Sequence, residues 1–121
     1  MHERCAAVLS VEEGALILSP FVLAELDHLL VRELGIDFEL EVLNEVAAGT
    51  YELVTFDANE IAAAHELIAR YRDLRIGLAD ASIVVLAGRY GTDRVLTLDE
   101  RHFRTLRAPS GGPLTILPAD A

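Results

Sequence analysis

One cysteine in 121 residues, Cys5, excludes an internal disulfide and supplies no thiolate cluster for a metal. It reads as a small packing residue rather than a nucleophile. No apolar run reaches the roughly 18 residues that a membrane-spanning helix needs. Met1-His2-Glu3-Arg4-Cys5 has no basic segment feeding a hydrophobic stretch, so no secretory leader is expected and a reduced, cytoplasmic setting follows. The sequence contains neither a Gly-x-Ser-x-Gly elbow nor a glycine-rich phosphate loop. Its four histidines, His2, His28, His65 and His102, show no metal-ligand spacing. Basic residues are scarce: ten Lys and Arg stand against twenty Asp and Glu, a formal net charge of −10. Domains that bind nucleic acid by neutralising phosphates are usually basic, which disfavours a simple DNA- or RNA-binding module. The acidity fits carboxylates gathered around divalent cations, or a surface for a basic protein partner, and does not itself choose.

What the chain does have is apolar residues, 52% of the total, enough for one domain with a real core. Leu16-Ile17-Leu18, entered through Gly14 and closed by Ser19-Pro20, reads as a buried strand. Ser19 caps a helix with Pro20 at its first position, running to about Leu34, where Gly35 ends it. Phe38 to Ala48 reads as a second helix stopped by Gly49, and Tyr51 to Phe56 as a strand. Asp57 caps a helix from Ala58 to about Tyr71. Asp80 to Tyr90 is a nearly all-apolar helix that must be covered on most sides. Val95 to Leu98 and Leu114 to Leu117 read as strands, the second after the Gly111-Gly112-Pro113 turn. Glu3 to Glu12 reads as the second half of a helix. Strands alternating with helices imply βα units and a mostly parallel sheet flanked by helices, in one domain over 1–121.

In such a sheet the helices run back antiparallel to the strands. Their N-termini gather at the carboxyl edge, where open α/β folds bind ligands. Three acids fall at that edge. Asp99 ends the strand Val95-Leu96-Thr97-Leu98, and Asp80 starts the apolar helix. Glu25 lies early in the helix after Leu16-Ile17-Leu18, with Phe21, Val22, His28 and Leu29 as its helical neighbours. A half-buried carboxylate on an apolar stripe needs a cation, and no lysine or arginine lies within a turn of it. Clustered carboxylate oxygens suit Mg²⁺ or Mn²⁺. Each acid has a plainer role open to it: Asp80 as a helix cap, Asp99 as the start of a turn, Glu25 as a solvated side chain. Their convergence on one edge favours the site.

Three segments carry a family likeness. Ser19-Pro20-Phe21-Val22-Leu23-Ala24-Glu25-Leu26, Leu78-Ala79-Asp80-Ala81-Ser82, and Val95-Leu96-Thr97-Leu98-Asp99-Glu100-Arg101-His102-Phe103 resemble the PIN-domain nucleases, most closely the VapC-type toxins of bacterial toxin–antitoxin pairs. The resemblance spans essentially the whole chain. It implies an α/β PIN-like fold and a Mg²⁺/Mn²⁺-dependent endoribonuclease, commonly a homodimer, held inactive by a cognate VapB-like antitoxin. Glu25, Asp80 and Asp99 fall on three of the family's acidic positions. Metal-assisted hydrolysis of an RNA phosphodiester is then the expected chemistry, with Asp80 and Asp99 as ligands and Glu25 as a ligand or water-orienting base. The net charge suggests a basic antitoxin that docks an arginine into the acidic site.

One departure matters. The family opens with a central strand ending in an aspartate, and nothing here matches it. The expectation is a PIN-like fold whose N-terminal central strand is missing, from a natural protein that starts roughly 20 residues earlier. Such a strand would contribute on the order of 5–9 kcal/mol, so the chain is marginal unless another segment fills the gap. A catalytically inert, PIN-like antitoxin-binding or scaffold protein is the alternative.

Overall fold

The computed structural model of the chain describes residues 7–10, 15–92, 94–97 and 115–117. Strands β1 (Ala7–Ser10), β2 (Leu16–Leu18), β3 (Glu52–Leu53), β4 (Arg94–Thr97) and β5 (Thr115–Leu117) form one sheet in the order β3-β2-β1-β4-β5. β2 pairs parallel with β3, and β4 parallel with β5. β1 lies between the two pairs and runs antiparallel to both β2 and β4. The four outer strands therefore share one direction, and their carboxyl ends share one edge.

The central strand corrects the sequence reading. Residues 7–10 of the stretch expected to be half a helix are strand instead, and they hold the middle of the sheet. A half helix is marginal by itself. The facing edges of β2 and β4 present backbone donors and acceptors that must be paired. Pairing wins, and Leu9 is buried completely in the register Leu9↔Ile17 and Leu9↔Val95.

The helices follow their capping signals. α1 (Pro20–Glu33) starts behind Ser19, whose extended backbone and hydroxyl cap the first turn. Gly35, at φ 91°, takes the left-handed conformation that ends α1, and its N–H reaches the Leu30 carbonyl at 3.0 Å. α2 (Ile36–Ala47) begins immediately behind it, two residues before the expected Phe38. Asp37 and Glu39 occupy its first turn, where the helix dipole favours acids. β3 covers only two of the six residues expected to be strand, because it pairs with the three-residue β2 and no further. α3 (Ala58–Arg70) opens on a reciprocal capping box between Asp57 and Glu60.

α4 (Leu78–Arg89) buries Ala79 through Val84, Leu86 and Ala87 against α3, α1 and β1. The core joins this helix to Leu9, Ile17, Leu18 and Val22. Each fully buried Leu, Ile or Val there contributes about 1.5–3 kcal/mol relative to exposure. At its far end Arg89 donates to the Thr55 carbonyl at 2.7 Å and pairs with Glu60 at 3.1 Å. These bonds hold the C-terminal end of α4.

Candidate active site

The site is assembled where β2 passes into α1 and where α4 begins. β2 ends at Leu18, and Ser19 turns the chain into α1. Ser19 is completely buried, and its Oγ accepts hydrogen bonds from the N–H groups of Phe21 (3.1 Å) and Val22 (3.5 Å). The same hydroxyl lies 2.7 Å from Ser82 Oγ in α4. Ser82 donates its one proton to the Ala79 carbonyl at 2.6 Å. Ser19 must therefore be the donor between the two serines, and every proton in this buried network has an acceptor.

That bond carries the geometry. It places the first turn of α4 at the carboxyl end of β2, the edge deduced from βα topology. Asp80 sits in this turn at the third helical position and is buried, with 6% of its surface exposed. The N-cap of α4 is Gly77, so Asp80 is not the cap, and that plainer reading is withdrawn. No side chain caps α4, which leaves the positive end of its dipole to favour an acid in the first turn. Burying a carboxylate is costly unless charge or hydrogen bonds offset it, and the dipole is one such contribution.

Glu25 lies one and a half turns into α1, on the helix that Ser19 caps. It is exposed rather than half-buried, a correction to the sequence reading. Val22 and Leu30 take the fully buried positions of α1, and Glu25 projects from the flank of that stripe. An exposed glutamate needs no cation for its own sake. Its place on the helix leaving the carboxyl edge remains. β4 ends at Thr97; Leu98, Asp99 and the motif residues after them lie outside the described residues. So do Cys5, His2, His102 and the Gly111-Gly112-Pro113 turn.

The helices bearing Glu25 and Asp80 are thus joined at one edge. Among the described residues no three His, Cys, Asp or Glu side chains converge as a metal cluster. The expected trio includes Asp99. Asp80 and Glu25 offer hard carboxylate oxygens, the donor chemistry that Mg²⁺ and Mn²⁺ take. The sequence reading gave Ser19 only a capping role and Ser82 none. The signal for Ser82 was present: a lone hydroxyl between Ala81 and Ile83, inside an apolar helix, must find a partner.

The chain matches the PIN domain family over residues 1–108. It is 46% identical to ribonuclease VapC26 of Mycobacterium tuberculosis over 117 residues, which is 97% of this chain and 87% of that protein. An acid-bearing first turn of α4 locked to the end of β2, a sheet whose outer strands share a carboxyl edge, and a likeness over nearly the full length all agree: the chain belongs to the PIN-domain family.

Proposed function

We infer that the chain is a VapC-type ribonuclease, the toxin of a toxin–antitoxin pair, which hydrolyses RNA phosphodiester bonds with Mg²⁺ or Mn²⁺. The observation that carries the reading is the burial of Asp80 at the head of α4, within a chain 46% identical to a VapC ribonuclease. Asp80 and Asp99 are the proposed ligands, and Glu25 is the proposed third acid, as ligand or as the base that orients water. A divalent ion held there would lower the pKa of a bound water and neutralise charge on the phosphate. The chain's own groups do the rest. Asp80, fixed by the buried first turn of α4, holds its oxygens at a set position. Glu25, exposed on α1, can turn to accept a proton from water at its carboxylate oxygen. The acidic edge repels RNA unless cations screen it, which ties substrate approach to metal occupancy.

A basic VapB-like antitoxin is the proposed partner, and a homodimer the proposed assembly. The surface supports a protein partner: Val31, Leu34, Ile36, Phe38 and Leu40 are exposed around the α1–α2 junction, on a chain of net charge −10. Among the described residues no helix is long and apolar enough to cross a membrane.

The inert-scaffold reading draws on one observation. The described residues of the central strand, Ala7-Val8-Leu9-Ser10, include no carboxylate and run against the direction of β2 and β4. Incubating the purified chain with RNA and Mn²⁺, with and without excess EDTA, decides between them. Cleavage that EDTA abolishes supports the nuclease. Antitoxin binding with no cleavage under either condition supports the scaffold.

A further inference from the structure

We propose that the Ser19–Ser82 hydrogen bond is a positioning device for the metal-binding carboxylates, setting the placement of Asp80 relative to Glu25. The proposal rests on the reading of those two acids as parts of the site. Both serines are completely buried, and their hydroxyls meet at 2.7 Å across 63 residues of sequence. Ser82 is two residues from Asp80 in the rigid first turns of α4, so the backbone of Asp80 moves with it. Ser19 is the N-cap of α1, and Glu25 stands six residues along that helix, about 9 Å from its start. This bond links the two helix starts that carry the acids.

The proton order makes the link specific. Ser82 gives its hydrogen to Ala79, so Ser19 donates to Ser82 while accepting from Phe21 and Val22. Neither hydroxyl titrates near neutral pH, so the link holds wherever the carboxylates are ionised. A simple packing contact between apolar groups would fill the same space without fixing direction or distance. A divalent ion tolerates little error in the spacing of its ligands, Mg²⁺ least of all.

Capping and cross-linking can be separated by substitution. Ser19→Gly keeps an acceptable N-cap residue but removes the cross-link, whereas Ser19→Thr keeps a hydroxyl for both roles. Ser82→Ala removes the acceptor while favouring the helix. The readouts are calorimetric Mn²⁺ titration and RNA cleavage kinetics, both well below each variant's unfolding midpoint. Expected are a 10–100-fold loss of Mn²⁺ affinity in Ser19→Gly and in Ser82→Ala, no further loss in the double variant, and recovery in Ser19→Thr. At saturating Mn²⁺, kcat falls while KM for RNA stays near its original value. Lowered midpoints with unchanged Mn²⁺ affinity and kcat would make the bond merely structural and overturn the proposal. Asp80→Asn is the control for the site itself. If it leaves Mn²⁺ affinity intact, the reading of the site fails; if it weakens binding and the serine variants do not, only the positioning role fails. Should Ser82→Ala not fold, Ser19→Gly against Ser19→Thr decides alone.

Discussion

Glu25 and Glu39 show how differently two exposed or nearly exposed glutamates can behave on neighbouring helices. Glu25 is exposed on α1, and the role proposed for it depends on the carboxylate charge rather than on packing. Glu25→Gln should lower RNA cleavage about 10–100-fold with little change in the unfolding midpoint, measured by initial rates and thermal melts. Glu39, on α2, faces Asp27 of α1. A hydrogen bond with Asp27, then desolvation and the Asp27 charge, hold its pKa above the usual glutamate range. Among the described residues Asp27 Oδ1 is buried with no hydrogen-bond partner. A raised acid pKa means the folded chain binds that proton more readily than the unfolded one. The mutual repulsion is therefore absent at low pH and appears as pH rises through the raised value. Glu39→Gln should accordingly raise the midpoint at pH 7 and leave it unchanged below about pH 4. Melts across that range check the sign.

At the scale of elements, helices were legible and strands only partly so. Ser19-Pro20 and Asp57 announced the starts of α1 and α3, because capping chemistry is local to a few residues. Replacing Asp57 with Ala should cost about 1 kcal/mol, read from chemical denaturation, because it removes one half of the capping box. The burial of α4 was likewise foreseen from its apolar sequence. Leu86→Ala, at a position with no exposed surface, should cost about 2–5 kcal/mol by the same measurement. The start of α4 was less clear. Asp80 looked like its cap, but Gly77 holds that place, because the 3₁₀ turn Arg72–Leu74 and left-handed Arg75 bring the chain in earlier. β1 was misread altogether. Four residues of mixed propensity carry little periodic signal, and what fixes them as strand is the unpaired edges of β2 and β4, which lie far along the sequence. Glu25's exposure was also out of reach, since it depends on which flank of α1 the rest of the fold covers.

For the whole molecule, charge and metal binding should be linked. On a chain of net charge −10, the carboxylates proposed for the site would repel one another until a cation offset their charge. A divalent ion that binds only the folded chain stabilises it by about 2.7 kcal/mol at a hundredfold excess over Kd, a rise of several degrees in midpoint. A small basic protein encoded beside this chain should co-purify with it and cover the exposed apolar residues near the α1–α2 junction. Failure of any such neighbour to bind would weigh against the toxin reading while leaving the nuclease intact. The family's fold and chemistry were legible in three short motifs, whereas the serine network that joins two of them was not. Its members are 63 residues apart and become partners only when β2 and α4 meet. The most direct test of the central claim compares RNA cleavage by the unaltered chain and by Asp80→Asn, at saturating Mn²⁺ and matched folded fraction. A loss of at least about 100-fold in kcat is predicted, with the fold retained and the metal-free midpoint unchanged or higher. Cleavage by Asp80→Asn at the rate of the unaltered chain would contradict it.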